Sequence, residues 1–273
     1  MASRRKTAAP GGFEESRDYV QSLARGLSVL AAFDAQHPTL GLAGIAARTG
    51  LSRAAARRLV LTLRHLGYVH GLGREYGLSP RVLELGFGCL ASLKLTDLAQ
   101  PLVEQLAQRL HHSCSMAVLD GQSIVYVLRV PVRRVMTVAL GVGARLPAHA
   151  ASMGRVLLAG LPEASLDAWL ADCRPVRLTP HTVTDTRRLR RIVRDVRSRG
   201  HAYVEQELEL GLCSIAVPVR DRDGRVIAAL NASMPYHAAV AQHALRDVLP
   251  ELHATAIAIE RCLPANSLPP VSL

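Results

Sequence analysis

One string restricts the fold of this chain more than any other: Leu42-Ala43-Gly44-Ile45-Ala46-Ala47-Arg48-Thr49-Gly50-Leu51-Ser52-Arg53. Apolar residues at helical spacing run into Gly50, a residue suited to the left-handed turn that ends a helix. Ser52 then supplies a side-chain oxygen of the kind that caps the next helix. This reads as helix, tight turn, capped helix. From Ala35 to Gly73 there is no Asp or Glu, yet Arg48, Arg53, Arg57, Arg58 and Arg64 are present. A merely solvated face usually mixes signs. An acid-free, arginine-rich helix-turn-helix instead suits the phosphate-lined groove of DNA.

The flanks extend the pattern. Leu23, Leu27, Leu30 and Ala31 predict a helix over about Ser22–Phe33, with Ser22 as its cap. In the helix that starts at Ser52, Leu59, Leu63 and Leu66 share one side. Arg53, Arg57 and Arg64 lie about 120–160° from Leu59 at 100° per residue. An ordinary solvated face is the alternative reading. Gly67 to Leu78 reads as a Gly-rich β-hairpin, a wing. After Pro80 a helix to about Leu95 reads as a connector.

The whole chain carries a formal net charge of +11. Residues 1–80 hold +6 of it and the longer remainder only +5, so a basic module is joined to a more neutral body. Such a balance favours a polyanion, nucleic acid before an anionic membrane surface. The five cysteines are scattered, odd in number and without C-x-x-C, which suggests reduced, buried thiols rather than a zinc site or disulfide framework. Residues 1–17 lack the apolar core of a signal peptide. No uncharged apolar run approaches the roughly 18 residues of a membrane span. A cytoplasmic protein without membrane partners is expected.

Beyond Asp97 the texture changes. A helix over 98–110 precedes β-rich runs joined by Asp120-Gly121, a hairpin signal. A third strand is expected over Arg134–Leu140, and Asp223-Gly224 joins a second hairpin over 214–233. Helices are expected at 152–161, 163–171, 187–199 and 239–262. Antiparallel hairpins with helices set apart make this an α+β domain. The helix over 187–199 holds seven arginines. It reads as amphipathic with a solvated basic face; a second DNA or membrane contact is the alternative. The organisation predicted is a disordered tail (1–18), a DNA-binding domain (19–80), a linker helix (81–96), an effector-binding domain (97–263) and a loose tail (264–273).

Several segments in this order resemble the IclR-type bacterial transcription regulators, closest to the Pca/Pob branch that controls aromatic-acid catabolism. They are Tyr19-Val20-Gln21-Ser22-Leu23-Ala24-Arg25-Gly26-Leu27, Gly50-Leu51-Ser52-Arg53-Ala54-Ala55-Ala56-Arg57-Arg58, Ser152-Met153-Gly154-Arg155-Val156-Leu157-Leu158-Ala159, and Gln206-Glu207-Leu208-Glu209-Leu210-Gly211-Leu212 with Ser214 to Val219. The resemblance covers about Tyr19 to Cys262. It implies a winged helix-turn-helix, a linker helix and an effector domain with a PAS/GAF-like antiparallel sheet. It also implies a homodimer or homotetramer, a partly palindromic operator, contact with RNA polymerase as a further option, and a small organic acid as effector. Protocatechuate, 4-hydroxybenzoate and β-ketoadipate are the candidates. The effector residues carried over are Met136, Leu146, Ala151, Ser152, Met153, Leu212, Ser214, Asn231 and Ser233. A glyoxylate-responsive relative has an acid where this chain has Val204, which favours an aromatic ligand here.

The chemistry of these residues fits. Ser152-Met153-Gly154 opens a helix, where free backbone N–H groups favour a carboxylate. Ser152, Ser214, Asn231 and Ser233 offer hydrogen bonds; Met136, Leu146, Met153 and Leu212 offer an apolar lining. Arg134 or Arg155 is a candidate partner for the carboxylate; a surface salt bridge is the ordinary alternative, as capping or strand pairing is for each serine. On the DNA side Arg53 and Arg57 are placed to reach base edges, with phosphate clamping as the alternative for either. Arg58, Arg64 and Arg74 suit the backbone, with Ser52 at the helix start. The rival class is an enzyme, a hydrolase-like protein acting on aromatic esters with an accessory basic domain. G-x-S-x-G, H-E-x-x-H and P-loop strings are missing from the sequence, so no catalytic residue, metal ligand or cofactor is assigned. With only 4% aromatic residues, stacking platforms for single-stranded RNA are few.

Overall fold

A computed structural model describes residues 13–14, 16–34, 36–72, 74–85, 94–132 and 141–263. The chain divides into two units, residues 1–89 and 90–273.

The N-terminal unit holds α1 (Gln21–Ala31), β1 (Thr39–Gly41), α2 (Leu42–Thr49), α3 (Arg53–His65), β2 (Val69–Leu72) and β3 (Glu75–Leu78). Val29, Phe33, Ile45, Ala56, Val60, Leu63 and Val69 form its core. The helix-turn-helix is built as its residues predict. Gly50 adopts φ +68° at the end of α2, and the Ala55 N–H donates to Ser52 Oγ at 3.2 Å. The wing is real: β2 pairs with β3 antiparallel. The short strand β1 was not expected; it adds to the other side of β3, giving the order β1-β3-β2. Ser22 does not cap α1, whose N-cap is Val20 with no side-chain bond. A helical turn covers 82–85; most of the predicted connector lies outside the described residues.

The C-terminal unit contains α4 (Lys94–Leu110), β4 (Ser113–Asp120), β5 (Ser123–Val130), β6 (Arg145–Pro147), a 3-10 turn (Ala148–Ala150), α5 (Ser152–Gly160), α6 (Glu163–Asp172), α7 (Thr186–Arg199), β7 (Ala202–Glu205), β8 (Leu212–Arg220), β9 (Val226–Pro235), α8 (Val240–His243) and, after one π-helical turn, α9 (Leu249–Cys262). The six strands form one antiparallel sheet in the order β6-β5-β4-β9-β8-β7. Both hairpin turns carry the expected glycine at positive φ, Gly121 at +57° and Gly224 at +78°. The edge strands β6 and β7 escaped notice because three or four residues carry too little alternation to register. The third strand expected over Arg134–Leu140 lies outside the described residues.

Both faces of the sheet are covered. On one, Met116, Ile215, Val217, Leu230 and Met234 meet Val103 and Leu106 of α4 and Leu252 and Ile259 of α9. On the other, Ala117, Tyr126, Ala216 and Ala229 meet Met153 and Leu158 of α5, Leu166 and Trp169 of α6, and Leu189 and Val193 of α7. We call the second the inner face. Cys114, Cys173 and Cys213 are buried as expected, and burial pushes the Cys114 thiol up to about 12; Cys262 is exposed.

Gly154 shows how tightly α5 is seated. A Cβ there would lie 2.1 Å from the Ala148 carbonyl oxygen and 2.5 Å from the Ala148 Cα, both backbone. Neither can yield cheaply. Gly154→Ala should therefore destabilise the C-terminal unit by about 2 kcal/mol or more. Gly141→Ala, where nothing lies within 4 Å, serves as the control and should change stability far less. Urea unfolding followed by the fluorescence of the sole tryptophan, Trp169, measures both.

Candidate functional site

The N-terminal unit presents its arginines as a set. The core side of α3 is Ala56, Val60 and Leu63; Leu59 is half-buried, and Leu66, expected in the core, is 47% exposed at the helix end. Arg53, Arg57, Arg58 and Arg64 on α3 and Arg74 in the wing turn are all exposed. None of them pairs with a carboxylate among the described residues. Arg64 leans toward the wing, since a Cβ on Gly71 would lie 3.5 Å from its Nη1. Arg48 is different. Its guanidinium bonds the Asp34 carboxylate and lies 3.1 Å from His37 Nδ1. The His37 bond, with Arg48 nearby, holds the Asp34 carboxyl below its ordinary range. Arg48 thus fastens α2 to the preceding loop, and the countercharge sits one residue outside the acid-free stretch.

In the C-terminal unit the strand register sorts the polar residues of the inner face into two lines. Directly opposed residues point to the same side of a sheet. Ser113 of β4 faces Ser233 of β9, which faces Ser214 of β8, which faces Val204 of β7. The next line is Arg129 of β5, Ser115 of β4, Asn231 of β9 and Ala216 of β8. Ser152, at the start of α5, closes onto the first line: its Oγ lies 2.8 Å from Ser214 Oγ. The α5 N-terminus has no side-chain cap, and Ser152, Met153 and Gly154 are buried there. Ser152, Ser214, Asn231 and Ser233 are thus brought together, with Ala151, Met153 and Leu212 buried beside them. Leu146 is set apart on β6, opposite Ile124 at the far edge of the sheet. Arg134 and Met136 lie outside the described residues.

Asn231 is the odd member of this group. It is only 3% exposed, and its Nδ2 donates to Ser233 Oγ at 3.3 Å. Its Oδ1 is buried with no hydrogen-bond partner. A buried orphan acceptor is costly and uncommon in a native fold.

Arg155 is not available to a ligand carboxylate. It is 3% exposed and its Nη2 lies 2.6 Å from Glu207 Oε2. Its Nε donates to the His149 carbonyl at 3.1 Å. Glu207 Oε2 also accepts the Val183 N–H, and the Glu207 carbonyl accepts the Thr182 hydroxyl. One buried pair therefore ties α5 to the segment that leads into β8 and to the loop before α7. Gly154 likewise has a packing reason, the Ala148 backbone.

Arg129 did not emerge from the sequence. Strict alternation puts it opposite to Tyr126 and Ile124. The β4–β5 register, however, shifts between Met116 and Ala117: Leu128 opposes Met116, Tyr126 opposes Ala117, and Val127 is the extra residue of a bulge. Arg129 and Tyr126 therefore share the inner face. Arg129 Cζ lies 5.9 Å from the Tyr126 ring centre, and Nη1 reaches Ser115 Oγ at 3.5 Å. Burial pushes the Tyr126 phenol up to about 12, against the pull of Arg129. No carboxylate pairs with Arg129 among the described residues.

The arginines of α7 divide. Arg190 pairs with Asp167, and Arg194 and Arg197 both hold Glu163, fastening α7 to α6. Three of the seven arginines of this helix are therefore internal staples rather than a free cationic surface.

The IclR helix-turn-helix domain matches residues 22–72, and the bacterial transcriptional regulator IclR C-terminal domain matches residues 87–261. The Pca regulon regulatory protein of Pseudomonas putida is 44% identical over 81% of this chain and 76% of its own length. The p-hydroxybenzoate hydroxylase transcriptional activator of Acinetobacter baylyi is 38% identical over 91% of this chain and 94% of its own. The crystal structure of an IclR homologue from Microbacterium hydrocarbonoxydans, complexed with 4-hydroxybenzoate, superposes with a TM-score of 0.77 at 29% identity, covering 88% of this chain and 98% of that one.

Two outcomes follow from the buried pair and its neighbour. Glu207→Ala leaves Arg155 charged and unpaired, and should cost about 3–5 kcal/mol; Arg155→Met with Glu207→Leu should recover most of that loss in urea unfolding. His149, buried with Nε2 at 3.1 Å from the Val176 carbonyl, has its pKa pushed below 6.5 by burial. A histidine depressed in the folded state contributes stability fully above 6.5 and loses it as pH falls below that value. His253, also lowered by burial, acts the same way. The stability of this unit should fall on acidification below 6.5, and His149→Asn should flatten the slope without abolishing it.

Proposed function

The chain belongs to the IclR family of bacterial transcriptional regulators, and from that premise we propose that it controls genes of aromatic-acid catabolism in response to a small aromatic acid. The residues 19–80 are assigned to operator DNA, 81–96 to a connector and 97–263 to the effector. Relatives named for the Pca regulon and for p-hydroxybenzoate hydroxylase support the class of genes, and the family structure holding 4-hydroxybenzoate supports the class of ligand. Protocatechuate, 4-hydroxybenzoate and β-ketoadipate are the effectors to test.

The observation that carries the DNA reading is the exposed arginine face of a Ser52-capped α3. Arg53 and Arg57 in its opening turns read base edges in the major groove, where the guanidinium matches guanine O6 and N7. Arg58, Arg64 and Arg74 hold phosphates. The effector sits on the inner face against Ser152, Met153, Gly154, Leu212, Ser214, Asn231 and Ser233, with Ala151, Leu146, Arg134 and Met136 as further candidates. The protein works in the cytoplasm as a dimer or tetramer on a partly palindromic operator, has no catalytic step of its own, and acts on RNA polymerase through its position. Exposed Leu23 and Leu27, one turn apart on α1, suit pairing with a second copy.

Arg57→Ala should weaken operator binding by about 1–3 kcal/mol and relax discrimination between operator variants. Wild-type affinity should fall log-linearly with salt, with a slope of about −0.9 per phosphate neutralised. Fluorescence anisotropy on a labelled operator reads both; an Arg57→Ala protein that binds like wild type at matched salt refutes the recognition-helix assignment.

A further inference from the structure

We infer that Arg129 and Asn231 form the two ends of the effector seat, so that the ligand carries one carboxylate at Arg129 and one hydroxyl donor at Asn231. This rests on the reading of the inner face as the effector site, and it narrows the ligand within that reading.

Three observations meet here. Arg129 is a half-buried cation on the inner face whose polar contact is a long bond to neutral Ser115. Its charge has no carboxylate partner among the described residues, and a guanidinium so placed matches a ligand carboxylate through two parallel N–H donors. Asn231 Oδ1 is an acceptor without a donor in a residue only 3% exposed. Its amide is fixed from the other end by the Ser233 hydroxyl. Arg129 and Asn231 also lie on one line across the sheet, joined through Ser115. Two strand spacings separate them, about 9.6 Å between backbones. That is room for one aromatic ring with a hydrogen bond at each end.

The chemistry of the two ends then selects. An ionised carboxylate only accepts hydrogen bonds, so it cannot satisfy Asn231 Oδ1. An open-chain dicarboxylate would place its second charge against that carbonyl oxygen, whereas a phenolic hydroxyl donates to it. Among the described residues the other arginine buried at this face, Arg155, is already neutralised by Glu207 and offers no second anion site. The seat therefore takes a ring acid with a hydroxyl opposite its carboxylate and rejects β-ketoadipate. Ser152 and Ser214, already bonded to each other, lie on the neighbouring line and remain within the same face for a second ring hydroxyl.

The test is titration calorimetry of the full chain with 4-hydroxybenzoate, 4-methoxybenzoate, benzoate, 4-hydroxybenzamide and β-ketoadipate. Wild type should prefer 4-hydroxybenzoate to its amide by about a hundredfold or more, and to its methyl ether and to benzoate by about tenfold or more. Arg129→Gln should erase the preference for acid over amide while keeping that for hydroxyl over methoxy. Asn231→Leu should do the reverse. The ligand series on wild type stands even where a variant unfolds. If no aromatic acid binds wild type, both the effector reading and this seat fall. If 4-hydroxybenzoate binds but each variant keeps the full discrimination, or the amide and the methyl ether bind as well as the acid, the seat is overturned and the effector reading stands.

Discussion

The C-terminal unit is organised around one buried ion pair. Arg155 and Glu207 are both nearly inaccessible, and a pair so placed is not a cheap source of stability, because removing two charges from water costs about what their attraction returns. What it supplies is definition. Arg155 sets the start of α5 against the His149 carbonyl, and Glu207 draws in Val183 and Thr182. The segments that frame the inner face are thereby fixed to a common point. The serines of that face can then hold polar positions without the sheet needing to tolerate water.

The two units use arginine in opposite ways. In the C-terminal unit the guanidinium groups of Arg155, Arg190, Arg194 and Arg197 are spent on internal carboxylates. In the N-terminal unit Arg48 and Arg81 are spent so, and among the described residues the α3 set has no carboxylate partner. Unpaired cations at close spacing repel one another, a cost a folded domain carries only where another anion relieves it. A polyanion relieves it along α3. In the proposed seat a single small anion would neutralise Arg129.

Much of this was legible in the residues. Gly50 and Ser52 specify the turn and cap of the DNA-binding helices through local geometry alone, and both behave as their types predict. The hairpins at Gly121 and Gly224 were equally plain. Long-range consequences were not. Arg155 looked like a ligand for an anion because its partner, Glu207, is 52 residues away. Gly154 reads in the sequence as part of an anion-binding helix start, and its packing against the Ala148 backbone could not be read there. Leu66 was placed in the core by angle, but the helix ends there and turns it outward. Arg129 stayed hidden because periodicity assumes an unbroken strand, and β5 is not one.

That broken strand reaches beyond this chain. Val127 is one residue out of phase with its partner strand, so the two ends of β5 follow different reading frames: Ile124 and Tyr126 obey one, Arg129 the other. A relative with the same residues in an unbroken β5 would turn Leu128 and Val130 to the inner face and carry the arginine into the opposite layer, whereas loss of Val127 alone would leave the arginine on the inner face. Ligand preference in such proteins can therefore change through strand register at a single point, with no residue of the seat itself replaced. An alignment scored on identity alone would count that arginine as conserved.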